Sequence, residues 1–396
     1  METKKYQQKT AAKATRALIK ARVGAYKDYQ SFAMLNSSQT DPKKIERARN
    51  LGALGIALQW VEGDARKAEE SFFKINQEAA PISEIEMRLI KARTTPQGVA
   101  ARAIARSGSG HKYWSSFSED IQQNIESTAQ EINELLFLPK LKNPIKTLDV
   151  PIVGKLSASN QLEVILDFVT IANKLESDRF ESDLDGGRTL AMLKNCKKIA
   201  ERINSIHPSS LGLHPMVYFY THLGRHKIGS FYGVLSFLVY LEDKKRFNDF
   251  IKVRKDFEWL IWNYDMVPQL LKGKGALQAK DRVKDFFVEI LDKLLSGTER
   301  TKVLKEIKDE KKFGALRISK KLEGNETTGK KFSRETKTAA YIREALPGCP
   351  KCKICGGYIP SRFNSIDHIK RKADGGLGTL KNAQLTHPYY NTTYKN

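Results

Sequence analysis

The spacing of apolar positions along the first 300 residues predicts helices. Apolar residues recur three and four positions apart in segments 12–35, 45–75 and 281–297, as on one face of a helix. Segment 229–243 has an apolar core of roughly ten residues, against about 20 needed to cross a bilayer, so a buried helix is predicted there. Strand-like runs are few, which favours a mainly α protein.

Clusters of glycine, proline and serine interrupt this pattern. They fall at 107–114, at 138–160 with its three prolines, at 183–190 and at 205–215. Residues 301–340 are rich in lysine and predict a solvated basic helix that runs into a flexible linker. We therefore expect a helical lobe with a basic amino terminus at 1–145, a second helical lobe at 146–300, the basic helix and linker at 301–340, and a compact module at 341–396.

The charge of the chain indicates a polyanionic partner. The 396 residues include 68 lysines and arginines against 45 acidic residues, a net charge of +23, which is more than solubility requires. The amino terminus lacks the continuous apolar segment of a secretory signal, and the four cysteines do not form a secreted disulfide framework. A cytoplasmic protein without membrane association is predicted. The basic, acid-poor amino terminus leaves a mitochondrial transit peptide as an alternative.

Residues that can bind metals or move protons concentrate near the carboxy terminus. They are Cys349, Cys352, Cys355, Asp367, His368, Asn382, His387 and Asn391. They occur as a Cys-x-x-Cys-Gly turn, an Asp-His-Ile segment, a Gly-Gly turn, an Asn-x-x-Leu run and a final asparagine. This order, at these intervals, resembles the HNH family of endonucleases over about residues 349–395. The carboxy-terminal module is thus expected to be a small α+β domain of the ββα-metal type, following a multi-helix region.

The resemblance implies a role for each of these residues. Asp367 and the carboxamide of Asn391 would bind one Mg²⁺ or Mn²⁺ ion, which prefers oxygen ligands. His368 would accept a proton from water, because imidazole is largely neutral at cellular pH. Asn382 would support catalysis by holding the loop and orienting His368. Since neighbouring residues of a regular strand point to opposite faces, the strand must end or bulge at Asp367 and His368.

The implied activity is hydrolysis of phosphodiester bonds in DNA, with RNA as a further substrate to consider. Four basic residues near the site would contact the phosphates: Lys370, Arg371, Lys372 and Lys381. Family members of this shape occur in restriction, phage-defence and mobile-element systems. An ATPase or another defence-system protein as partner, and a homo-oligomer, fit that context. The alternative is a nucleic-acid-binding scaffold, or a partner-activated subunit, whose module is itself inactive.

A structural zinc ion is a second metal to consider. Modules of this family hold zinc with two Cys-x-x-Cys pairs. This chain has the first pair, but His387 and Tyr390 stand where the second would be. The candidate zinc ligands are therefore Cys349, Cys352, Cys355 and His387. Without zinc, Tyr389 and Tyr390 would pack in its place.

The remaining local signals concern the loop, the closing helix and a group of histidines. Gly375 and Gly376 predict positive φ in the loop, and Pro388 predicts the first turn of a helix. Four histidines lie between 207 and 226 with no carboxylate at helical spacing nearby, so we interpret them as a buried loop and helix. A phosphate contact is the alternative, through Arg225, His226 and Lys227.

Overall fold

The computed structural model describes residues 2–22, 24, 29, 41–53, 84–110, 112–175, 181–310, 312–318 and 331–391. Within these ranges the chain forms fourteen helices and a single two-stranded antiparallel sheet near the carboxy terminus. The prediction of a mainly α protein with a small α+β region at its end is thereby confirmed. The chain divides into two compact units, Met1–Ile82 and Ser83–Asn396.

The first unit contains helices α1 (Glu2–Arg22) and α2 (Pro42–Ala53). From residue 12 onward the side chains of α1 are exposed, including Leu18 and Ile19. The predicted helical segments 12–35 and 45–75 each run into residues that lie outside the described ranges. They are thus tested only up to residue 22 and over 45–53, where the chain is helical.

The second unit contains the other twelve helices. They are α3 (Glu84–Lys91), α4 (Pro96–Ala105), α5 (Glu119–Phe137), α6 (Ala158–Ala172), α7 (Gly187–Ile203), α8 (Pro215–Phe219), α9 (Ile228–Asp243), α10 (Phe247–Asn263), α11 (Val267–Leu270), α12 (Ala276–Leu295), α13 (Arg300–Asp309) and α14 (Arg334–Ala345). Helix α9 packs against α12 and α6, and its residues 229–238 are all buried. The prediction of a buried helix at 229–243 is confirmed.

Side-chain caps explain where several of these helices begin. The Thr95 hydroxyl accepts a hydrogen bond from the backbone N–H of Gly98 at 3.2 Å, and Pro96 occupies the first turn of α4. Ser157 and Ser333 cap α6 and α14 in the same way, at 3.4 and 3.0 Å. Each cap satisfies a backbone donor that has no partner within its own helix.

The segment 138–160, predicted as a break between two lobes, is a packed part of the core. Val150, Ile152 and Val153 are buried. The Val153 backbone N–H donates to the carbonyl of Leu136 at 2.9 Å, and the Tyr220 hydroxyl donates to the carbonyl of Pro151 at 2.9 Å. One continuous core runs from residue 92 to residue 390, across positions 145, 300 and 340. The division into four folding parts stays a prediction, but the core is not divided at those boundaries.

The lysine-rich region 301–340 contains two helices in its described part. Helix α13 buries Val303, Leu304 and Ile307, so the predicted basic helix is packed along one face. Residues 319–330, the centre of the predicted linker, lie outside the described ranges. Helix α14 takes up the end of the predicted linker and buries Thr338 and Ile342.

The sheet consists of β1 (Ser365–His368) and β2 (Ala383–Thr386). The strands pair antiparallel, with Ser365 opposite Thr386 and His368 opposite Ala383. The connection contains two 3₁₀ turns, at Lys372–Asp374 and Leu380–Asn382, and residues 388–391 are helical. None of the helices in the described ranges is long and apolar enough to cross a membrane.

Candidate functional site

The strand β1 carries Asp367 and ends at His368, as the sequence predicted. Asp367 is buried and lies opposite Gln384, whose side-chain amide donates to Asp367 Oδ2 at 2.8 Å. His368 is half-buried at the strand end. The pairing stays in register through Asp367 with Gln384 and His368 with Ala383, so these two neighbouring side chains leave β1 on opposite faces. The strand ends after His368, and there is no bulge between the two residues.

Asn391 is tied to the same strand from the helical turn that follows β2. Its side-chain amide donates to Ser365 Oγ at 2.7 Å and to the carbonyl of Ile366 at 3.2 Å. Alternate residues of a strand share a face, so Ser365 and Asp367 lie on one face, about 7 Å apart along the strand. The carboxamide of Asn391 is therefore on the face of Asp367, where the predicted oxygen ligands need to meet.

Asn382 closes the loop between the strands through its side chain. Its carbonyl oxygen accepts from the backbone N–H of Lys370 at 2.7 Å. Its amide group donates to the carbonyls of Lys370 and Leu377, at 3.1 and 2.8 Å. The backbone N–H of Ile369, the residue after His368, donates to the main-chain carbonyl of Asn382 at 2.8 Å. The structure thus gives Asn382 the loop-holding contacts expected from the sequence.

The four basic residues expected to contact nucleic acid lie exposed on this loop or at its end: Lys370, Arg371, Lys372 and Lys381. Arg371 pairs with Asp374 at 2.8 Å, which offsets one positive charge. The loop keeps a positive net charge because Lys370, Lys372 and Lys381 remain. Gly375 has φ +80°, which confirms the predicted left-handed backbone at this residue, whereas the same prediction for Gly376 is wrong. A side chain at Gly376 would meet the Lys370 carbonyl at 1.9 Å, so glycine is required there by close packing.

Cys352, Cys355 and His387 form a buried group that could hold a metal ion. One ligand atom of each lies within 4.8 Å of the others, and it is the one such group of histidine, cysteine and carboxylate side chains found among the described residues. Backbone N–H groups of Ile354 and Gly357 donate to the sulfur atoms of Cys352 and Cys355, each at 3.4 Å. Such donors stabilise thiolates, the form in which cysteine binds metals.

The buried imidazole of His387 lacks hydrogen-bond partners, which favours a bound ion. The side chain is fully buried, and neither ring nitrogen has a hydrogen-bond partner. A buried polar atom without a partner is costly, and a metal ion would use one of these nitrogens as a ligand. The residues present therefore fit an ion that prefers sulfur and nitrogen ligands.

The pKa values of Cys352, Cys355 and His387 are consistent with binding of such a metal ion. Hydrogen bonding to Cys355 lowers the pKa of Cys352 to about 6, so this thiol ionises readily. Burial raises the pKa of Cys355. Burial, together with the nearby charge of Arg254, holds the pKa of His387 well below its ordinary value. At neutral pH the group offers a thiolate and a neutral imidazole, the protonation states that metal ligands need.

Cys349, the remaining candidate zinc ligand, lies outside this group. Its thiol is buried and donates to the carbonyl of Ile359 at 3.4 Å. Tyr390 is fully buried beside the group, with its ring centroid 5.1 Å from that of His387, and Tyr389 is buried next to it. Tyr390 therefore lines the group of three ligands, and Tyr389 packs between Tyr390 and Phe247.

Arg254 on α10 connects this group to the helical part of the unit, which the sequence did not lead us to expect. Its guanidinium is fully buried and donates to Glu258 at 2.7 Å, to the Gly212 carbonyl at 2.8 Å and to the Tyr390 hydroxyl at 3.2 Å. Arg254 and Glu258 interrupt the apolar stripe of α10 at positions four residues apart. A charged pair within such a stripe is the signal that could have indicated a buried contact.

Glu258 continues the connection into the Cys-x-x-Cys turn. Its carboxylate accepts from the backbone N–H of Tyr358 at 2.8 Å and from the Tyr218 hydroxyl at 3.0 Å. The backbone N–H of Tyr389 donates to the carbonyl of Ser210 at 2.9 Å. The carboxy-terminal module is thus attached to the helices through buried hydrogen bonds on both sides of the hairpin.

The histidines between 207 and 226 do not gather around a common point in the described part of the chain. His207 is exposed and its ring Nδ1 contacts the Ser209 hydroxyl at 2.8 Å, whereas burial lowers the pKa of His214 and of His226 to about 4. Arg225 pairs with Glu335 at 2.7 Å. These surroundings do not favour the alternative of a phosphate contact at 225–227.

A comparison with protein-family models, with curated proteins and with solved structures returned no match for this chain.

Proposed function

We propose that the module at 341–396 is the catalytic part of a divalent-metal-dependent endonuclease of the HNH type that hydrolyses DNA. The observation that carries this proposal is the attachment of Asn391 to β1. Its hydrogen bonds to Ser365 and Ile366 bring the carboxamide to the face of Asp367. Both lie beside the strand end at His368, so one carboxylate, one carboxamide and one imidazole belong to the same four-residue strand and its closing turn.

Each of these side chains would have a separate task. His368 would accept a proton from the water that attacks the phosphate. Asp367 and Asn391 offer oxygen atoms, which suit Mg²⁺ or Mn²⁺. When bound, such an ion supplies charge neutralisation at the phosphate. Asn382 is a positioning residue, because its side chain holds both peptide groups of Lys370 and its main-chain carbonyl accepts from the N–H of Ile369, the residue after His368.

The exposed basic residues of the loop would bind the phosphate backbone of the substrate. Lys370, Lys372 and Lys381 are exposed next to the proposed catalytic strand. Contacts of this kind are independent of base sequence and weaken as salt concentration rises. A restriction, phage-defence or mobile-element context is part of the proposal and rests on the resemblance alone.

We further propose that the group of Cys352, Cys355 and His387 binds zinc. Two thiolates and an imidazole are ligands that zinc prefers over magnesium. In the chain these residues lie on the turn before β1 and directly after β2. An ion held by all three would join the two ends of the hairpin, a structural and not a catalytic role.

The nuclease proposal is tested by nicking of supercoiled plasmid in the presence of Mg²⁺ or Mn²⁺. We expect the parent protein to convert the plasmid to the open circle, and His368→Ala to lower the rate by about 100-fold or more, since a general base contributes 10²–10⁴-fold. His207→Ala removes an exposed histidine outside the module and should cut like the parent. Chelation of the added divalent ion should stop the reaction.

Two results would contradict a self-sufficient nuclease. A parent protein that cuts neither DNA nor RNA with any divalent ion, yet binds DNA, would indicate a scaffold with an inactive module. Cleavage that appears only after co-purification with another protein would indicate a partner-activated subunit. Equal rates for the parent and His368→Ala would show that the activity belongs elsewhere.

A further inference from the structure

Strand β1 and the loop between β1 and β2 expose large apolar side chains. We call four residues the apolar loop cluster: Ile366, Ile369, Leu377 and Leu380. Their exposed fractions are 58%, 56%, 71% and 91%. A single exposed leucine needs no explanation, but a concentration of this kind marks an interaction surface.

This exposure does not result from an unstructured loop. The side chain of Asn382 bonds the main chain at Lys370 and at Leu377. Gly376 packs so closely that no other residue fits against the Lys370 carbonyl. Leu380 itself lies in the 3₁₀ turn Leu380–Asn382. The leucines are therefore held in an ordered loop that points them away from the core.

The charges around the cluster indicate which partner it fits. The basic residues flank the leucines along the loop: the run Lys370, Arg371 and Lys372 precedes Leu377, and Lys381 follows Leu380 directly. Duplex DNA offers this combination, since its anionic backbone flanks a stack of apolar base faces. Proteins that bend DNA insert leucine or isoleucine between base pairs while basic residues hold the phosphates.

The position of the leucines relative to the proposed catalytic strand supports the same partner. Ala383 lies opposite His368 in the sheet, and Leu380 is three residues before Ala383. Leu377 lies on the other side of the same turn and is bonded through its carbonyl to Asn382. A duplex held at His368 would therefore meet both leucines.

We propose that Leu377 and Leu380 form a wedge that enters the duplex between base pairs next to the cleaved bond. This inference rests on the proposed nuclease function and adds to it. Insertion of the wedge unstacks one base step and unwinds the helix locally. Because pyrimidine–purine steps are the easiest to unstack, the wedge would direct cleavage to those steps.

The test measures unwinding, which neither cleavage nor simple phosphate contacts produce. Relaxed plasmid is incubated with the full chain carrying His368→Ala, without magnesium, and treated with a topoisomerase that needs no metal. Insertion at bound sites shifts the topoisomer distribution after the protein is removed. Binding is measured in parallel with a fluorescent duplex of about 30 base pairs, longer than a typical site of one or two helical turns.

We expect the His368→Ala protein to shift the topoisomers, and the added pair Leu377→Ala and Leu380→Ala to abolish the shift at equal occupancy. Affinity should fall by about tenfold, the effect of losing apolar contact from two side chains that must also offset unstacking. Leu184→Ala is the matched control, because Leu184 is 90% exposed and lies outside the hairpin. It should behave like the His368→Ala protein. Circular dichroism checks that all variants are folded.

The possible failures are distinguishable. If the His368→Ala protein binds DNA without shifting topoisomers, or if the wedge variant shifts them equally, the wedge is disproved while plasmid nicking by the parent still supports the nuclease. If the leucine substitutions change only the oligomeric state, the cluster is a contact between two copies and the wedge is again disproved. If the parent neither binds nor cuts DNA, both proposals fail.

Discussion

At the scale of single residues, Asn382 shows how one side chain can organise a site. All three of its side-chain hydrogen bonds go to main-chain atoms of Lys370 and Leu377. A serine or an aspartate at this position could not provide one acceptor and two donors together. The residue therefore fixes the backbone that follows His368 without using the side chains of Lys370 and Leu377.

Replacing Asn382 by alanine should affect cleavage more than stability. The free energy of unfolding should fall by about 1–2 kcal/mol, since each net hydrogen bond contributes roughly 1 kcal/mol and the loop is exposed. Plasmid nicking should slow by at least about tenfold, because misplacement of a reacting group by 1 Å has effects of this size or larger. Asn364→Ala is the control, since Asn364 bonds only the carbonyl of Ser361 among the hydrogen bonds observed, at 3.0 Å. If Asn382→Ala nicks plasmid at the parent's rate, Asn382 does not position His368 for cleavage.

His226 predicts a loss of stability in acid. Its Nε2 donates to the carbonyl of Ile152 at 3.1 Å, and burial lowers its pKa to about 4. The unfolded chain, with a histidine pKa of about 6.5, binds the proton more readily between these values. The neutral ring thus contributes stability that is fully present above pH 6.5 and is lost as the pH falls towards 4.

We expect this residue to account for about 2 kcal/mol of the loss between pH 6.5 and 4, less than its full pKa shift implies, because the ring is partly exposed. The comparison is urea unfolding of the parent and of His226→Gln, which can keep the hydrogen bond but does not titrate. The variant should show a flatter pH dependence in this window. An identical slope for both proteins would show that other groups cause the acid loss.

Much of the hairpin could be predicted residue by residue because its signals are local. The left-handed Gly375 follows from a short stretch of sequence, and the end of β1 at His368 and the loop-holding Asn382 were expected from the resemblance to HNH endonucleases. The roles of Arg254 and Glu258 could not be read in the same way. Their spacing within an apolar stripe signals a buried pair. The further partners Gly212 and Tyr358 lie more than 30 residues away along the chain, and no local spacing identifies them.

At the scale of elements, the Cys-x-x-Cys turn joins both ends of the hairpin. The backbone N–H of Lys353 donates to the carbonyl of Leu385 in β2 at 3.2 Å, and His387 follows directly after that strand. The turn itself is closed by the Gly356 N–H, which donates to the carbonyl of Cys352 at 2.9 Å with Gly356 at φ +70°. A metal ion at Cys352, Cys355 and His387 would reinforce these backbone contacts.

Metal analysis of the purified protein should give one zinc per chain, carried by three of the four predicted ligands. Cys352→Ser should lose zinc and lower the melting temperature, because a structural zinc ion contributes directly to folding. Cys349→Ser is the matched control from the same stretch, since its side chain bonds Ile359 outside the group. It should retain zinc. Loss of zinc in both variants would show that Cys349 is also a zinc ligand. Absence of zinc from the parent protein would contradict the zinc proposal.

The segment 138–160 shows why the element boundaries were only partly predictable. Three prolines indicate a break in helical structure, and the segment is indeed not helical before Ala158. The same prolines do not indicate whether the segment is a linker or a packed loop. A continuous run of buried residues from Val150 to Gly154 places it in the core. That outcome depends on neighbours such as Tyr220 and Leu136, which the local pattern does not identify.

At the scale of the whole molecule, the unit Ser83–Asn396 is unified by buried polar contacts as well as by its apolar core. The pair Arg254 and Glu258 is fully buried and contacts the loop 211–212, the Cys-x-x-Cys turn and Tyr390. Removing one partner of a buried pair typically costs 3–5 kcal/mol, because the other charge is left without compensation. The hairpin and the helices should therefore unfold together.

A fragment of residues 341–396 should not fold alone, even with zinc. It would lack Arg254, Glu258 and Ser210, and so expose Tyr390 and the backbone N–H groups of Tyr358 and Tyr389. The measurement is a proton–nitrogen NMR spectrum of the fragment with one equivalent of zinc, beside a fragment of residues 83–396. We expect collapsed amide signals for the short fragment and dispersed signals for the long one. Dispersed signals from the short fragment would show an autonomous module.

The clamp formed by Asn382 has a consequence for how the loop can vary. Because it grips only peptide groups of Lys370 and Leu377, the identities of those side chains are not needed to keep the loop in shape. The side chains of residues 370–373 and 377–381 can therefore be replaced while the backbone of the loop keeps its conformation. Randomising them while retaining Gly375, Gly376 and Asn382 would yield a library of correctly shaped loops from which altered target preferences could be selected.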